Sequence, residues 1–322
     1  MMRRYPTPFC PSAALPEVGS YVAREAAGTP LIAVRGADGK VCVLRNVSRA
    51  RGAQATKERG AWAFACHSYG WAYGLDGRLR HAADDGAPCL DQASPGLAPV
   101  HAVEHSGLVF VTQALPPLAP SLADTSADEL LAIIPPGERF YSIAEHDVAA
   151  NWKILAEGFI AGYHIRTTNR ETAYPPGPSG SDESTTAEGL NRRVALSCRA
   201  SARRRAASEA DRVLTYAYHL FPNVMVVMLP DLMAMIALEP VATDHTRVIT
   251  YALSAHGDRE AAPPEVAHAK AFLDAGVAED RASASAVQRR LTGGGHTHVE
   301  LGRGEGALAQ FHRRLHAMLA QA

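Results

Sequence analysis

Two short apolar runs, Pro30-Leu-Ile-Ala-Val-Arg35 and Lys40-Val-Cys-Val-Leu-Arg45, stand on either side of Gly36-Ala-Asp-Gly39. Strand-forming residues flanking a Gly-containing turn predict a β-hairpin, because glycine takes the positive φ that reverses two twisted strands. The pattern recurs at Trp62-Ala-Phe-Ala-Cys66, at Trp71-Ala-Tyr-Gly-Leu75 followed by Asp76-Gly77, and at Gly107-Leu-Val-Phe-Val-Thr112. Residues 20–112 therefore predict a small all-β domain, followed by a Pro-rich linker or short capping helix over 113–138.

The second half changes period. Trp152 to His164 has helical spacing, Thr215 to Met228, Met233 to Leu238 and Thr246 to Ser254 read as strands, and Glu265 to Leu291 and Gly306 to Gln321 read as helices. Strands flanked by segregated helices predict an α+β chain with one domain over 1–138 and a second over 139–322. Residues 170–212, Pro/Gly/Ser-rich and then basic through Arg203-Arg204-Arg205, read as a mobile loop or lid in the second domain.

A chain of 322 residues with 47% hydrophobic side chains can bury the cores of two domains. Its formal net charge of −1 supplies no general field for nucleic acid or an anionic membrane. Five cysteines without a repeating spacing, no recognisable signal peptide and no apolar run approaching the roughly 18 residues of a membrane helix predict a cytoplasmic protein. There is no P-loop, Gly-x-Gly-x-x-Gly fingerprint or nucleophile elbow. His296-Thr-His298 with Glu300 lacks a visible third metal ligand, and the Met225 to Met235 run reads as core strand or as the wall of a greasy cavity.

A set of segments in fixed order carries a family resemblance. Asn46-Val-Ser-Arg-Ala-Arg-Gly52, Cys66-His-Ser-Tyr-Gly-Trp71, Asn151-Trp-Lys153, Glu157, Tyr163-His164, Phe221-Pro-Asn223, Glu279-Asp280, Val287-Gln-Arg289 and Phe311-His-Arg313 resemble the signature of Rieske non-haem iron oxygenase α-subunits. The resemblance implies an N-terminal Rieske-like β domain and a C-terminal helix-grip (START-like) domain, an antiparallel sheet wrapped around a long helix with a substrate cavity. It also implies a trimer in which each cluster-bearing domain serves its neighbour's iron site.

The ligands that the resemblance calls for are mostly replaced. A Rieske [2Fe-2S] centre takes two thiolates on one iron and two imidazoles on the other. The matching positions hold Ser48, Ala50, Cys66 and Tyr69, with His67 beside the surviving thiol. The mononuclear iron of the family takes two histidines and a carboxylate, where this chain aligns His164, Asn169 and Asp280. The acidic bridge three residues before the first histidine is Ala161. The expectation is a degenerate member with no cluster and weak or no iron.

His164, Glu157, Asn169 and Asp280 are then the candidate catalytic residues. Imidazole beside a carboxylate can move protons near neutral pH, and an amide can donate to an oxyanion. The structural alternatives are a satisfied core His164, a Glu157 paired with Lys153 at i, i+4, and a solvated Asp280. Three functions follow as expectations: a metal-independent, redox-neutral cyclase, lyase or isomerase on a small organic molecule of specialised metabolism, held in an apolar pocket; a non-catalytic pseudoenzyme subunit assembling with an active Rieske oxygenase; and a residual iron-dependent oxygenase. Assembly is expected as a homo-trimer or as a hetero-oligomer with an active Rieske oxygenase.

Overall fold

The computed structural model describes residues 2–47, 63–66, 71–81, 96–114, 137–161, 185–186, 192–199, 212–229, 231–256, 262–294, 298, 300–302 and 305–321. The chain divides into two compact units, Met2–Ala119 and Pro120–Ala322. The division lies upstream of residue 138, and the intervening 115–136 are outside the described residues.

The N-terminal unit is built of β1 (Thr7–Pro11), β2 (Tyr21–Ala26), β3 (Thr29–Arg35), β4 (Val41–Arg45), β5 (Ala63–Cys66), β6 (Trp71–Gly74), β7 (Leu79–His81), β8 (Pro99–His105) and β9 (Leu108–Thr112). They form an antiparallel six-stranded sheet in the order β1-β9-β8-β4-β3-β2 and a three-stranded sheet β5-β6-β7. The hairpin expected at Gly36–Gly39 forms, with Val34 opposite Cys42 and Gly39 at φ 76°. Tyr21, Ile32, Val34, Leu44, Tyr73 and Leu97 close the core between the sheets. Gly77 takes φ 77° at the Asp76-Gly77 turn, and a Cβ placed on Gly96 would lie 2.0 Å from its carbonyl oxygen. Only glycine lets these two backbones meet so closely.

The C-terminal unit carries β10 (Arg139–Val148), β11 (Thr185–Thr186), β12 (Arg192–Arg199), β13 (Arg212–Leu220), β14 (Val224–Met228), β15 (Met233–Ala242) and β16 (His245–Ser254). These make one antiparallel seven-stranded sheet in the order β10-β16-β15-β14-β13-β12-β11. Its helices are α1 (Trp152–Ala161), α2 (Pro264–Thr292) and α3 (Gly306–Ala320). Helix α2 packs Val266 and Leu273 against Tyr141, Ala234 and Ala252, so small side chains on the sheet admit the long helix. Sheet and long helix together are the helix-grip arrangement that the resemblance implies. Met225, Met233 and Met235 are buried in β14 and β15, which makes the methionine run core strand.

The span read as a loop or lid, 170–212, is corrected in part: it contains β11, β12 and the first residue of β13. Basic composition masked a period-two alternation in Arg192–Arg199, where Val194, Leu196 and Cys198 alternate with Ala195, Ser197 and Arg199. Backbone pairing runs from Arg192 opposite His219 to Arg199 opposite Arg212. Likewise Thr215 to Met228 is two strands, β13 and β14, joined by a turn at Phe221-Pro222-Asn223 that contains a cis Phe221–Pro222 bond.

Candidate functional site

Helix α1 begins at Asn151, whose Oδ1 accepts the Lys153 N–H at 3.0 Å and so satisfies one of the free donors of the first turn. The same asparagine is tied down on two other sides. Its backbone N–H donates to Gln288 Oε1 of α2 at 2.9 Å, and its Nδ2 donates to the Thr243 carbonyl. Trp152, Leu155, Ala156 and Ile160 form the buried face of the helix. Lys153 lies away from the carboxylate expected to be its partner, with Nζ 5.9 Å from the Trp152 ring centroid.

Phe311 of α3 is the hub against which this face rests. Its ring meets Trp152 edge-on at 6.1 Å, His219 at 5.4 Å and Phe221 at 6.0 Å, with interplanar angles of 84°, 78° and 66°. Edge-to-face geometry sets the positive rim of one ring on the negative face of another. His219 is buried, and its Nε2 lies 3.1 Å from the Pro222 carbonyl, which can only accept. That contact places the proton on Nε2. Asn223 Nδ2 donates to the Leu238 carbonyl at 2.8 Å and fastens the β13–β14 turn to β15.

Beside the hub, His312 Nε2 lies 3.0 Å from Glu157 Oε1, the imidazole about half exposed and the carboxylate one-third exposed. Burial pushes the Glu157 carboxyl above its ordinary range, while the neighbouring His312 and then Lys153 pull it back down. Glu157 therefore pairs across helices with His312, and the expected i, i+4 pair with Lys153 is corrected: Lys153 contributes only the smaller field. A small cleft is lined by Ile160, His219, Phe221, Gln310, Phe311 and Arg314, together with Ala307.

Of the four candidate catalytic residues, Glu157 and Asp280 lie in described elements. Asp280 sits half-buried on α2, which packs against α1. His164 and Asn169 lie outside the described residues, as do Ser48, Ala50, His67 and Tyr69. Cys66 ends β5 opposite Trp71 of β6, so the two strands on either side of 67–70 are paired. Ala161 is the last residue of α1. His312 stands in one of the matching segments without a role in the sequence, because nothing in local spacing joins α3 to α1.

The donor set does not fit the groups that the resemblance implies. Ser48, Ala50, Cys66 and Tyr69 offer one thiolate where two are needed and no imidazole. Ala161, a methyl group at the end of α1, cannot take the place of a bridging carboxylate. His164, Asn169 and Asp280 supply one imidazole where the iron site of this type takes two.

Residues 138–321 match the family described as ring hydroxylating alpha subunit (catalytic domain). The chain is 33% identical over 165 residues to the glycine betaine monooxygenase oxygenase subunit of Chromohalobacter salexigens, covering 49% of this chain and 36% of that protein. It is 29% identical over 161 residues to the carnitine monooxygenase oxygenase subunit of Escherichia coli, covering 48% and 42%. The matched stretch thus spans well under half the length of these relatives. In fold, the chain is similar to a quaternary ammonium Rieske monooxygenase described for carnitine oxidation and inter-subunit electron transfer, with a TM-score of 0.83 at 17% identity over 99% of this chain and 90% of that one. Naphthalene 1,2-dioxygenase from Rhodococcus sp. gives 0.71 at 20% identity over 90% and 78%. Among the described residues no helix is long and apolar enough to cross a membrane.

Proposed function

The chain belongs to the ring hydroxylating alpha subunit family, and from that premise we propose that it is an enzyme of this oxygenase fold working without the family's redox chemistry: a metal-independent, redox-neutral cyclase, lyase or isomerase acting on a small organic molecule. The observation that carries the reading is the donor set. The positions that the resemblance aligns with ligands hold Ser48, Ala50 and Tyr69 at the cluster, Asn169 at the iron site and Ala161 at the bridge, none of which is a ligand of the expected type. The residues that hold α1, from Asn151 and Trp152 to Phe311, are kept. His164 serves as the acid/base, with Asp280 or Asn169 assisting, and preorganisation of a reactive substrate supplies part of the rate.

The test is turnover in the absence of what an oxygenase requires. Chelator-treated protein is incubated anaerobically, without reductase, with small organic molecules that co-purify with it or are extracted from its own cells. A product isomeric with its substrate, or differing only by an eliminated small molecule, is expected. Turnover that requires oxygen, reductant and added Fe(II) would overturn the reading.

A second reading is favoured by the N-terminal unit, which forms a six-stranded sheet and a closed core while the positions that the resemblance aligns with cluster ligands include Ser48, Ala50 and Tyr69. On this reading the chain is a non-catalytic subunit that assembles with an active Rieske oxygenase. Co-purification with an iron-replete oxygenase, together with loss of that enzyme's output when this chain is removed, would favour it.

A further inference from the structure

Strand β10 stands at the edge of the seven-stranded sheet and pairs only with β16 among the described residues. Its register puts Ser142, Ala144 and His146 on one face, opposite Ala252, Thr250 and Val248. Ala252 packs with Val266 and Leu273 of α2, so this is the face that the long helix covers. Tyr141 packs with the start of α2, and Asn151, just past β10, bonds Gln288 near the end of α2. Strand and helix therefore run side by side in the same direction.

The floor of this seam is polar without being satisfied. Thr250 is 1% exposed, and its Oγ1 is buried with no hydrogen-bond partner; Ser142 Oγ on the same face is buried and unpartnered as well. A hydroxyl enclosed in this way carries a desolvation cost that nothing in the fold offsets. Between the two, opposite Thr250, Ala144 carries only a methyl group. The wall is charged. Lys270, Asp274, Val277 and Arg281 recur at i, i+4, i+7 and i+11 and form one stripe along α2. The stripe lies towards β10: burial and then the charge of Arg281 hold the His146 imidazole below its ordinary range, with Asp274 opposing and Lys270 adding a smaller push.

We propose that the seam between β10 and α2 is a binding site for a small monocarboxylate, with Arg281 and His146 donating at the rim and the Thr250 hydroxyl donating from the floor. Lys270 Nζ donates to both Asp274 oxygens at 2.6 Å, so those two charges cancel and Arg281 leaves a balance of one positive charge. With a neutral imidazole, a single negative charge completes the site. Arg281 donates Nε to the Val277 carbonyl on its own helix at 3.3 Å and makes no other hydrogen bond among the described residues; His146 makes none. Turning Arg281 off its own helix costs one long bond and presents the planar fork that suits a carboxylate. Asp280, aligned with the iron site, lies about 100° round α2 from Arg281, so this site is separate from the one in the proposed function and does not rest on that reading.

The test is titration of the full chain with sodium acetate and with sodium benzoate, sodium chloride holding the ionic strength constant, followed by amide NMR shifts. Saturable shifts at His146, Thr250 and Arg281 are expected. Arg281→Gln and Thr250→Val should each weaken binding roughly ten-fold, the loss of one hydrogen bond to a charged group. Arg247→Gln, on the other face of β16, should bind as wild type. Without carboxylate, Thr250→Val should leave Tm unchanged or raise it, because it removes a hydroxyl that has no partner. Shifts that never saturate, binding that Arg281→Gln or Thr250→Val leaves intact, or phosphate binding as tightly as acetate would each overturn the proposal. So would a lower Tm for Thr250→Val, which would mean that the hydroxyl is already bonded within the protein. None of these readouts uses turnover, so failure here is distinct from failure of the proposed function.

Discussion

Replacing Phe311 by alanine measures how firmly α3 is built into the C-terminal unit. The side chain is 3% exposed and makes edge-to-face contacts with Trp152, His219 and Phe221. Truncating a buried phenylalanine costs roughly 3–5 kcal/mol, and aromatic pairs contribute about 0.5–1.5 kcal/mol beyond the area they bury. Three such pairs place the expected loss in the upper half of that range, about 4 kcal/mol. For a unit of this size each kcal/mol moves the midpoint about 2–4 °C, so Tm should fall by roughly 10 °C. The chain has three tryptophans, Trp62, Trp71 and Trp152. In a Trp62→Phe, Trp71→Phe background, Trp152 fluorescence reports the C-terminal unit alone, and urea titration gives the free energy. His316→Ala on the exposed side of α3 is the control and should change stability by less than about 0.5 kcal/mol. A loss below about 1 kcal/mol for Phe311→Ala, or one matched by His316→Ala, would refute the claim that Phe311 joins α3 to α1 and the β13–β14 turn.

Three further outcomes follow from the N-terminal unit. Arg35 donates to both Glu104 oxygens, at 2.7 and 2.9 Å, and holds that carboxyl below its ordinary range; the stability it contributes is present above the unfolded-state carboxyl pKa and is lost as pH falls through the lower folded value. Acid titration of Arg35→Gln should therefore show a shallower loss of stability below about pH 4 than wild type. Burial pushes the Cys10 thiol up to about 12, so under native conditions Cys10 should react with a thiol-specific disulfide reagent far more slowly than in denaturant. Gly96→Ala sets a Cβ 2.0 Å from the Gly77 carbonyl oxygen and should cost about 1–3 kcal/mol by overpacking, read from the unfolding of the N-terminal unit.

The elements with a clean period were readable from the residues alone. The Gly36–Gly39 hairpin, α2 and the Leu308, Phe311, Leu315 stripe of α3 stand where spacing puts them. Strand β12 was not, because its alternation carries small and charged side chains inside a basic stretch, and composition outweighed period. The Glu157–His312 pair was hidden for a different reason: helix spacing advertises Lys153 as the partner at i, i+4, while tertiary packing brings α3 against α1 and offers a better-placed imidazole. The family segments, separate in sequence, converge in the fold. Asn151 meets Gln288, and Trp152 and Phe221 meet Phe311. Those segments are thus in part a brace for α1.

The positions that the resemblance aligns with the ligands of the redox centres hold one thiol, one imidazole and one carboxylate, Cys66, His164 and Asp280. The direct measurement is iron and acid-labile sulfide in anaerobically purified protein, read together with the visible absorption spectrum. A folded, colourless protein with far less than one iron per chain and no labile sulfide is expected. Two irons and two sulfides per chain with a Rieske-type spectrum would contradict it.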